Sequence, residues 1–507
     1  MRKLIFVFLF LKFVRSNKKL VYNDLNFRNI DFTNYQQIKL FIFKKKFHLL
    51  KNKHVHNFDF LSFTKKLGGN MGIKISKEKI FDWYNENKNK INYPWTEDLT
   101  SRRLINLLYN YEYIISSSNS DEIKYLDRII YVHMQRTIFE FNKKQITEIT
   151  SFDTLGFLLS LTILNKLNIK KIKYLIIILK NQVDNLGMHK SYNILEHSKF
   201  INNLNEIKNI FLFNKIEDLD EIDKLILKMS SILIQYFHDD GSIPLFNGAN
   251  NNYTDIIYKT LNKEIYLKNR EFVNAKNGIA FYGDKNKKLF FDVVQPNNDK
   301  ISSNLSAGTL SIEFSCLNEK IITNCGASES YGKNPEYLRY SAAHSTIILQ
   351  NTNVSEIKEG NPHIKYPQSV VFSKETNDNF EILEASHNGY INKFKKIIKR
   401  KLILDKKEDK IMGEDSIISI NKNSGGIIFH IRFHLNEQIV YNFTNNKKNI
   451  ILKTKLNQIW LFKSDVELII EDSIIVDNNT TKPTKQIVIK GIIKGNKLSR
   501  KWSLEKM

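Results

Sequence analysis

Between residues 75 and 270 apolar side chains recur every three to four positions, the period of helices with one face turned inward. Over 102–116 the stripe is Leu104, Leu107, Leu108, Tyr111 and Ile115, and over 220–236 it is Ile222, Leu225, Ile226, Met229, Leu233 and Tyr236. Both read as amphipathic helices. The stretches 153–166 and 172–180 are apolar nearly all round, which predicts helices covered on more than one side and, with their neighbours, layered helical hairpins. Past residue 275 the pattern changes to short β-rich runs at 279–282, 289–294, 310–314, 321–323, 346–349, 427–433, 450–453, 459–462 and 487–493. Polar turns such as Asn297-Asn298-Asp299 and Asn445-Asn446-Lys447-Lys448 separate them. Helices first and strands afterwards predict two stacked domains, over 75–270 and 271–507, behind an N-terminal segment 1–74.

Composition adds scale. A chain of 507 residues exceeds one ordinary core, and 42% hydrophobic with 12% aromatic content supplies two. The balance of 77 Lys and Arg against 53 Asp and Glu, +24, admits either a polyanionic partner or a generally solvated basic surface, since Lys, Asn and Ile fill the chain throughout. No zinc-finger spacing or aromatic RNA-binding stripe accompanies the basic runs, so no nucleic-acid partner is expected. Phosphate-loop and nucleophile-elbow motifs are also missing.

The start, Met1-Arg2-Lys3 followed by apolar residues 4–14 broken by Lys12, is too short for an integral membrane span. It has the charge and core of a signal peptide without a small-x-small cleavage site, and reads equally as a buried first helix. Cell envelope or periplasm, and alternatively cytoplasm, follow from those two readings. Cys316 and Cys325 fall in a hairpin of strands 309–316 and 320–325; a turn centred on Asn318-Glu319 puts them out of register, so no disulfide is expected.

The strongest local signal is Ala307-Gly308-Thr309-Leu310-Ser311-Ile312-Glu313-Phe314-Ser315, then Ile321-Ile322-Thr323-Asn324-Cys325-Gly326, then Arg339-Tyr340-Ser341-Ala342-Ala343-His344-Ser345-Thr346. Together these resemble the C-terminal domain of the heparinase II/III-like polysaccharide lyases. Gly187-Met188-His189-Lys190-Ser191-Tyr192-Asn193 resembles that family's Gly-Gly-His-x-Ser-Arg-Asn stretch. Phe237-His238-Asp239-Asp240-Gly241 with Leu245-Phe246-Asn247-Gly248-Ala249 resembles its segment joining toroid to sandwich. Tyr93-Pro94-Trp95 and Ser101-Arg102-Arg103-Leu104 resemble an early toroid helix; His387-Asn388-Gly389-Tyr390 and Gly413-Glu414-Asp415 resemble a strand and its partner; His430-Ile431-Arg432-Phe433-His434-Leu435 resembles a further strand. The resemblance implies an (α/α) toroid followed by an antiparallel β-sandwich, with an acidic polysaccharide or oligosaccharide as ligand.

It also implies chemistry. A lyase of this kind removes the proton α to a uronate carboxylate and expels the 4-linked sugar, which requires donors to the carboxylate, a base and an acid. By motif, His189 and Asn193 are candidate carboxylate neutralisers and Tyr340 and His344 are catalytic candidates on the sandwich. Tyr192, Asn304, Ser306 and Arg339 are candidate substrate-binding residues, with Tyr192 a further candidate base if nearby cations lower its pKa. Where the family often has His-x-His this chain has Asn304-Leu305-Ser306, and Asn324 replaces an aspartate. Of three metal ligands only His344 remains, so neither metal nor other cofactor is expected. Plainer roles compete: a hydrogen-bonded strand histidine for His344, packing for Tyr340, helix capping around His189, a turn for Asp239 and Asp240, and bracing of the strand for Arg432 and His434. Three functions remain open: lyase, non-catalytic acidic-glycan binding on the same fold, and glycoside hydrolysis, the last lacking a strong carboxylate pair. Nothing in these residues sets the oligomeric state.

Overall fold

The computed structural model describes residues 53–96, 98–251, 254–260, 278–284, 286–297, 305–328, 336–357, 365–420, 426–477 and 480–507. They form two compact units. One extends to Val183 and takes up Ser198–Met229; the other comprises Asp184–His197, Ser230–Glu329 and Lys333–Met507. The signal-like start and Asn304 lie outside the described residues.

The first unit is helical: α1 (Lys53–His56), α2 (Phe60–Leu67), α3 (Gly69–Asn87), α4 (Leu99–Tyr109), α5 (Tyr111–Ile115), α6 (Ser120–Lys143), α7 (Ser151–Ile163) and α8 (Ile169–Asn181), with most of α9 (Ile194–Phe213) and α10 (Asp220–Gln235). Side chains placed to accept from free N–H groups start several of them. Asn119 with Glu122 and Thr150 with Asp153 make capping boxes on α6 and α7, and Asn168 accepts from the N–H of Lys171 on α8. The all-apolar segment of α7 is buried on nearly every side, as its sequence predicts. The stripe over 102–116 is instead two helices. Asn110 breaks it, its Nδ2 donating to the carbonyl of Asn106, and Ile114 becomes the buried residue in place of Ile115. In α8 only one side is covered, and Tyr174 and Ile177 face solvent.

Arg103 explains the early motif. Its guanidinium carbon lies 4.0 Å from the ring centre of Trp83 and 4.7 Å from that of Trp95, while Nε donates to His133 at 2.8 Å and Nη1 to the carbonyl of His56 at 2.5 Å. These residues hold α1, α3, α4 and α6 together and belong to the core of the unit.

The second unit is a β-sandwich with strands β1 (Ile279–Gly283), β2 (Lys287–Asp292), β3 (Ile312–Cys316), β4 (Glu319–Thr323), β5 (Ile347–Leu349), β6 (Val370–Thr376), β7 (Phe380–His387), β8 (Lys396–Asp405), β9 (Lys410–Ser419), β10 (Ile427–Leu435), β11 (Val440–Phe443), β12 (Asn449–Lys453), β13 (Ile459–Ser464), β14 (Ile469–Asp477), β15 (Thr480–Ile493) and β16 (Lys497–Lys506). One sheet runs β1-β2-β3-β4-β10-β15-β14; the other runs β11-β12-β13-β16-β9-β8-β7-β6, and neighbouring strands are antiparallel. Phe291, Phe314, Phe429 and Phe433 of the first sheet meet Ile398, Leu402, Phe462 and Trp502 of the second in one core. β4 and β5 share a single edge of β10, pairing at His434↔Thr323 and at Ile431↔Ile347. The chain between them carries the wall motif.

Three local expectations change. The β3–β4 turn is the two-residue Leu317-Asn318, both at positive φ, one position earlier than expected; Cys316 and Cys325 are buried free thiols. The Arg339–Thr346 stretch is largely not strand: 3-10 turns Glu336–Arg339 and Ser341–Ala343 precede β5. β7 ends at His387, and Asn388-Gly389-Tyr390 is a turn into a short helix, Ile391–Phe394, with the Tyr390 hydroxyl on the carbonyl of Thr352. A side chain at Gly389 would meet Val354 and Pro367, which fixes a bend there.

Candidate active site

The sequence-marked residues gather in the second unit. Asp184 Oδ1 accepts from the backbone N–H groups of Leu186, Gly187 and Met188, making a tight turn in which Gly187 takes φ 102°. His189 follows. Its Nδ1 lies 2.8 Å from Ser191 Oγ and accepts from the N–H of Ser191, which leaves the proton of the neutral ring on Nε2. Burial lowers its pKa to about 4, so the ring is neutral at pH 7.

Asn193 caps α9: Oδ1 accepts from the N–H groups of Leu195 and Glu196, and Nδ2 donates to the carbonyl of Asn247 at 2.8 Å. Asn247 is the joint of the site. Its own Nδ2 reaches the carbonyl of Tyr192 at 3.3 Å, and its Oδ1 accepts from the N–H of Ser306 at 3.0 Å. Through it Tyr192, Asn193 and Ser306 sit together.

Tyr192 adopts φ 49°, uncommon for a bulky residue, with its ring against Gly278, where a Cβ would stand 3.1 Å from Cε1. Burial, then Asp184 and Asp292, push its pKa up. The expected lowering by cations is therefore reversed: the flanking groups are carboxylates, and the phenol stays protonated. Asp292, itself lifted by burial to about 7, accepts from the N–H of Val294.

The wall motif continues from Ser306. Arg339 Nη2 donates to the carbonyl of Leu305, Ala307 donates to the carbonyl of Arg339, and Ser341 Oγ donates to the carbonyl of Ala307. Tyr340 is half-buried and turns its hydroxyl to Glu336 at 3.4 Å. His344 is buried with its ring against Gly308, where a Cβ would come within 3.0 Å, and among the described residues neither ring nitrogen has a hydrogen-bond partner. Burial lowers its pKa to about 4. It is not the hydrogen-bonded strand histidine of the plainer reading.

Asn324 accounts for one replaced ligand. Oδ1 accepts from the N–H of Ser345 and Nδ2 donates to Glu313, a polarity that an aspartate cannot supply. Ser306, Asn324 and His344 thus provide one imidazole and do not fit a divalent metal; among the described residues no cluster of three His, Cys, Asp or Glu does.

Glu313 is the electrostatic centre beneath this wall. It accepts from His238, Lys320, Leu245 N–H, Thr323 and Asn324. Burial pushes its pKa up, but Lys320 and His238 outweigh that and hold it at about 2. Ser315, His238 and Glu313 are spaced like a hydrolase triad, at 2.7 and 3.0 Å, yet all three are fully buried and satisfy one another together with Lys320, so they bind the 238–245 segment to the sheet. Asp239 pairs with Lys288, and Asp240 accepts from Ser242 in a turn. Arg432 pairs with Glu471 and His434 with Ser473, bracing β10. Asn247, Asp184 and Asp292 join the site only in the folded chain; Asn247 lies in the Leu245-Phe246-Asn247-Gly248-Ala249 motif, and its asparagine before glycine is the signal the sequence offers.

The sequence profile of the family described as heparinase II/III-like, C-terminal, matches residues 271–502. The chain carries a heparinase II/III-like C-terminal domain. The whole chain is similar in structure to heparinase III, with a TM-score of 0.74 at 11% identity over 98% of this chain and 89% of that one. It is likewise similar to the heparan sulfate lyase HepC from Pedobacter heparinus, with a TM-score of 0.60 at 13% identity over 100% and 88%. At such identities these likenesses establish the fold, a helical toroid before the heparinase-like sandwich. No curated protein matches the chain in sequence. None of the described helices is long and apolar enough to cross a membrane.

Proposed function

We propose that this chain is a polysaccharide lyase that cleaves an acidic, uronate-containing polysaccharide or oligosaccharide by β-elimination in the cell envelope or periplasm. One observation carries the reading: His344 is a buried, neutral imidazole with both nitrogens unpartnered among the described residues. Leaving such a group unsatisfied costs about 1–3 kcal/mol, which a reacting ligand offsets. His344 takes the C5 proton as the C4–C5 double bond forms and the C4–O bond breaks. The incoming carboxylate raises the basicity of that ring. The neutral ring of His189 serves the carboxylate charge, with Asn193, Ser306 and Arg339 shaping the binding surface, and Tyr192, held protonated, supplies the leaving oxygen with its proton. Tyr340 is the alternative proton carrier on the same wall.

A second reading, acidic-glycan binding without catalysis, is favoured by Asn193, whose amide already serves the α9 cap and Asn247. Incubation with a panel of uronate polysaccharides, heparan sulfate among them, separates the two. Ultraviolet absorbance from an unsaturated product supports elimination; new reducing ends without it indicate hydrolysis, and binding with neither indicates a non-catalytic protein.

A further inference from the structure

The helix α8 is apolar on two sides. Ile172, Leu175, Ile176, Ile178 and Leu179 are buried in the helical unit, yet Ile169, Tyr174 and Ile177 on the opposite side are 71%, 41% and 53% exposed. Burial of the inner face explains those five positions. Nothing in the core explains three large apolar side chains on the outer one.

Their neighbours define the partner. At positions 169, 170, 173, 174 and 177 the outer face alternates apolar groups with exposed Lys170 and Lys173, and the segment 164–181 holds five lysines and no acidic residue. Lys171 donates to the carbonyl of Lys166 and Lys180 pairs with Glu221, so the charge turned outward is concentrated toward the start of the helix. Asn214 donates to Thr162, which brings the end of α9 to the last turn of α7, just before the loop leading into α8; there Leu212 and Phe213 are 53% and 46% exposed beside exposed Lys215. The Ile146–Glu148 turn, in contact with α8, carries Glu148, which accepts from the N–H of Gln145. Acidic residues 217–223 lie beyond the Lys215 end and bound the patch.

We propose that this face of the helical unit docks on an anionic lipid surface, with Ile169, Tyr174, Ile177, Leu212 and Phe213 entering the headgroup boundary and Lys166, Lys170, Lys173 and Lys215 facing lipid phosphates. Lysine is suited to this because its stem lies along apolar groups while its ammonium stays at the polar level. Each lysine near an anionic leaflet contributes attraction that salt screens, and the apolar groups add a component that salt does not. A free polyanionic glycan uses the lysines but gains nothing from exposed isoleucine and phenylalanine, and a second copy of the chain would set like charges against each other.

The test is cosedimentation of the full-length protein with vesicles of phosphatidylcholine, with and without phosphatidylglycerol. Binding is expected only with the anionic lipid, weakening with salt. Lys170→Glu with Lys173→Glu, and separately Ile169→Ser with Ile177→Ser, should each reduce it on the order of tenfold or more while thermal unfolding is unchanged, since all four side chains are exposed. Three results overturn the proposal: no binding to anionic vesicles; a protein dimer in sedimentation that the serine pair dissociates; or binding to soluble heparin that the lysine changes abolish and the serine changes leave intact, with vesicle binding absent.

Discussion

Arg400 and Asp415 face each other across β8 and β9 as a fully buried two-point pair, Nε to Oδ1 at 2.6 Å and Nη2 to Oδ2 at 3.0 Å. The same guanidinium sends Nη1 to the carbonyls of Leu310 and Ser345, 2.9 and 2.8 Å away, so one sheet of the sandwich holds the two segments of the other that carry Gly308 and His344. Arg400→Leu leaves the carboxylate, among the described residues, with Trp502 as its one side-chain donor and should destabilise by about 3–5 kcal/mol in urea unfolding. Adding Asp415→Leu should recover much of that loss. If the double variant is no better than the single one, the loss lies in the carbonyl contacts and not in the ion pair.

His344→Phe separates stability from chemistry. The ring keeps its place against Gly308 while two orphan nitrogens disappear, so the melting temperature should hold or rise. Elimination should vanish. An active, stable variant places the base elsewhere.

Acid should unfold the second unit in two stages. His189, His238 and His344 stand at about 4 and His387 and His434 at about 3, burial being the leading cause in each, against about 6.5 in an unfolded chain. Below about 6.5 the unfolded chain binds more protons than the folded one, so stability is fully present above that pH and declines as pH falls toward 4. Glu313, held at about 2, adds stability that is complete above its ordinary value and is lost on descent through 2. Denaturation across this range measures the slope, and His344→Phe should reduce it by one proton, about 1.4 kcal/mol per pH unit. A slope unchanged by that variant would show that His344 is not the buried neutral group described.

Asn193 carries a cap and a donor that two variants tell apart. Asn193→Asp keeps the acceptor for Leu195 and Glu196 but removes the N–H on Asn247; Asn193→Ala removes both, and losing the cap should cost about 1 kcal/mol in thermal unfolding. If the amide also serves a substrate carboxylate, both variants lose turnover on the order of 100-fold. Full activity in the aspartate variant restricts Asn193 to the cap.

Asn324→Asp should destabilise by about 2 kcal/mol, because it exchanges a donor to Glu313 for a second carboxylate. Elemental analysis of protein purified without chelators should find no stoichiometric zinc. Zinc bound through His344 would contradict the replacement of the other two ligands.

The architecture was legible because periodicity reports which faces are buried: the inward positions of 220–236 and the all-round burial of α7 follow their patterns. The alternation of β8 was not, for a definite reason, although the motifs at 387–390 and 413–415 resemble a strand and its partner. In Lys396–Asp405 the inward positions are Lys396, Ile398, Arg400, Leu402 and Leu404, so two cations occupy core positions and mask the alternation. The same charge that hides the strand makes the Asp415 pair. Around the site, motifs marked His189, Asn193 and His344, but the link through Asn247 joins positions 54 and 59 residues apart in the chain and exists only once folded. The sign of the shift at Tyr192 also depends on neighbours, Asp184 and Asp292, that only the fold brings near.

The hub at Glu313 bears on where this protein can be cut. The family profile begins at residue 271, yet the carboxylate at the heart of the first sheet draws donors from His238 and from the backbone of Leu245, both upstream of that point. A gene fragment opened at 271 would leave Glu313 and Lys320 facing the space those residues fill. A transplantable module of this chain therefore has to include the segment from Ser230 onward, and a chimera joined later would inherit the strands without the plug that closes them.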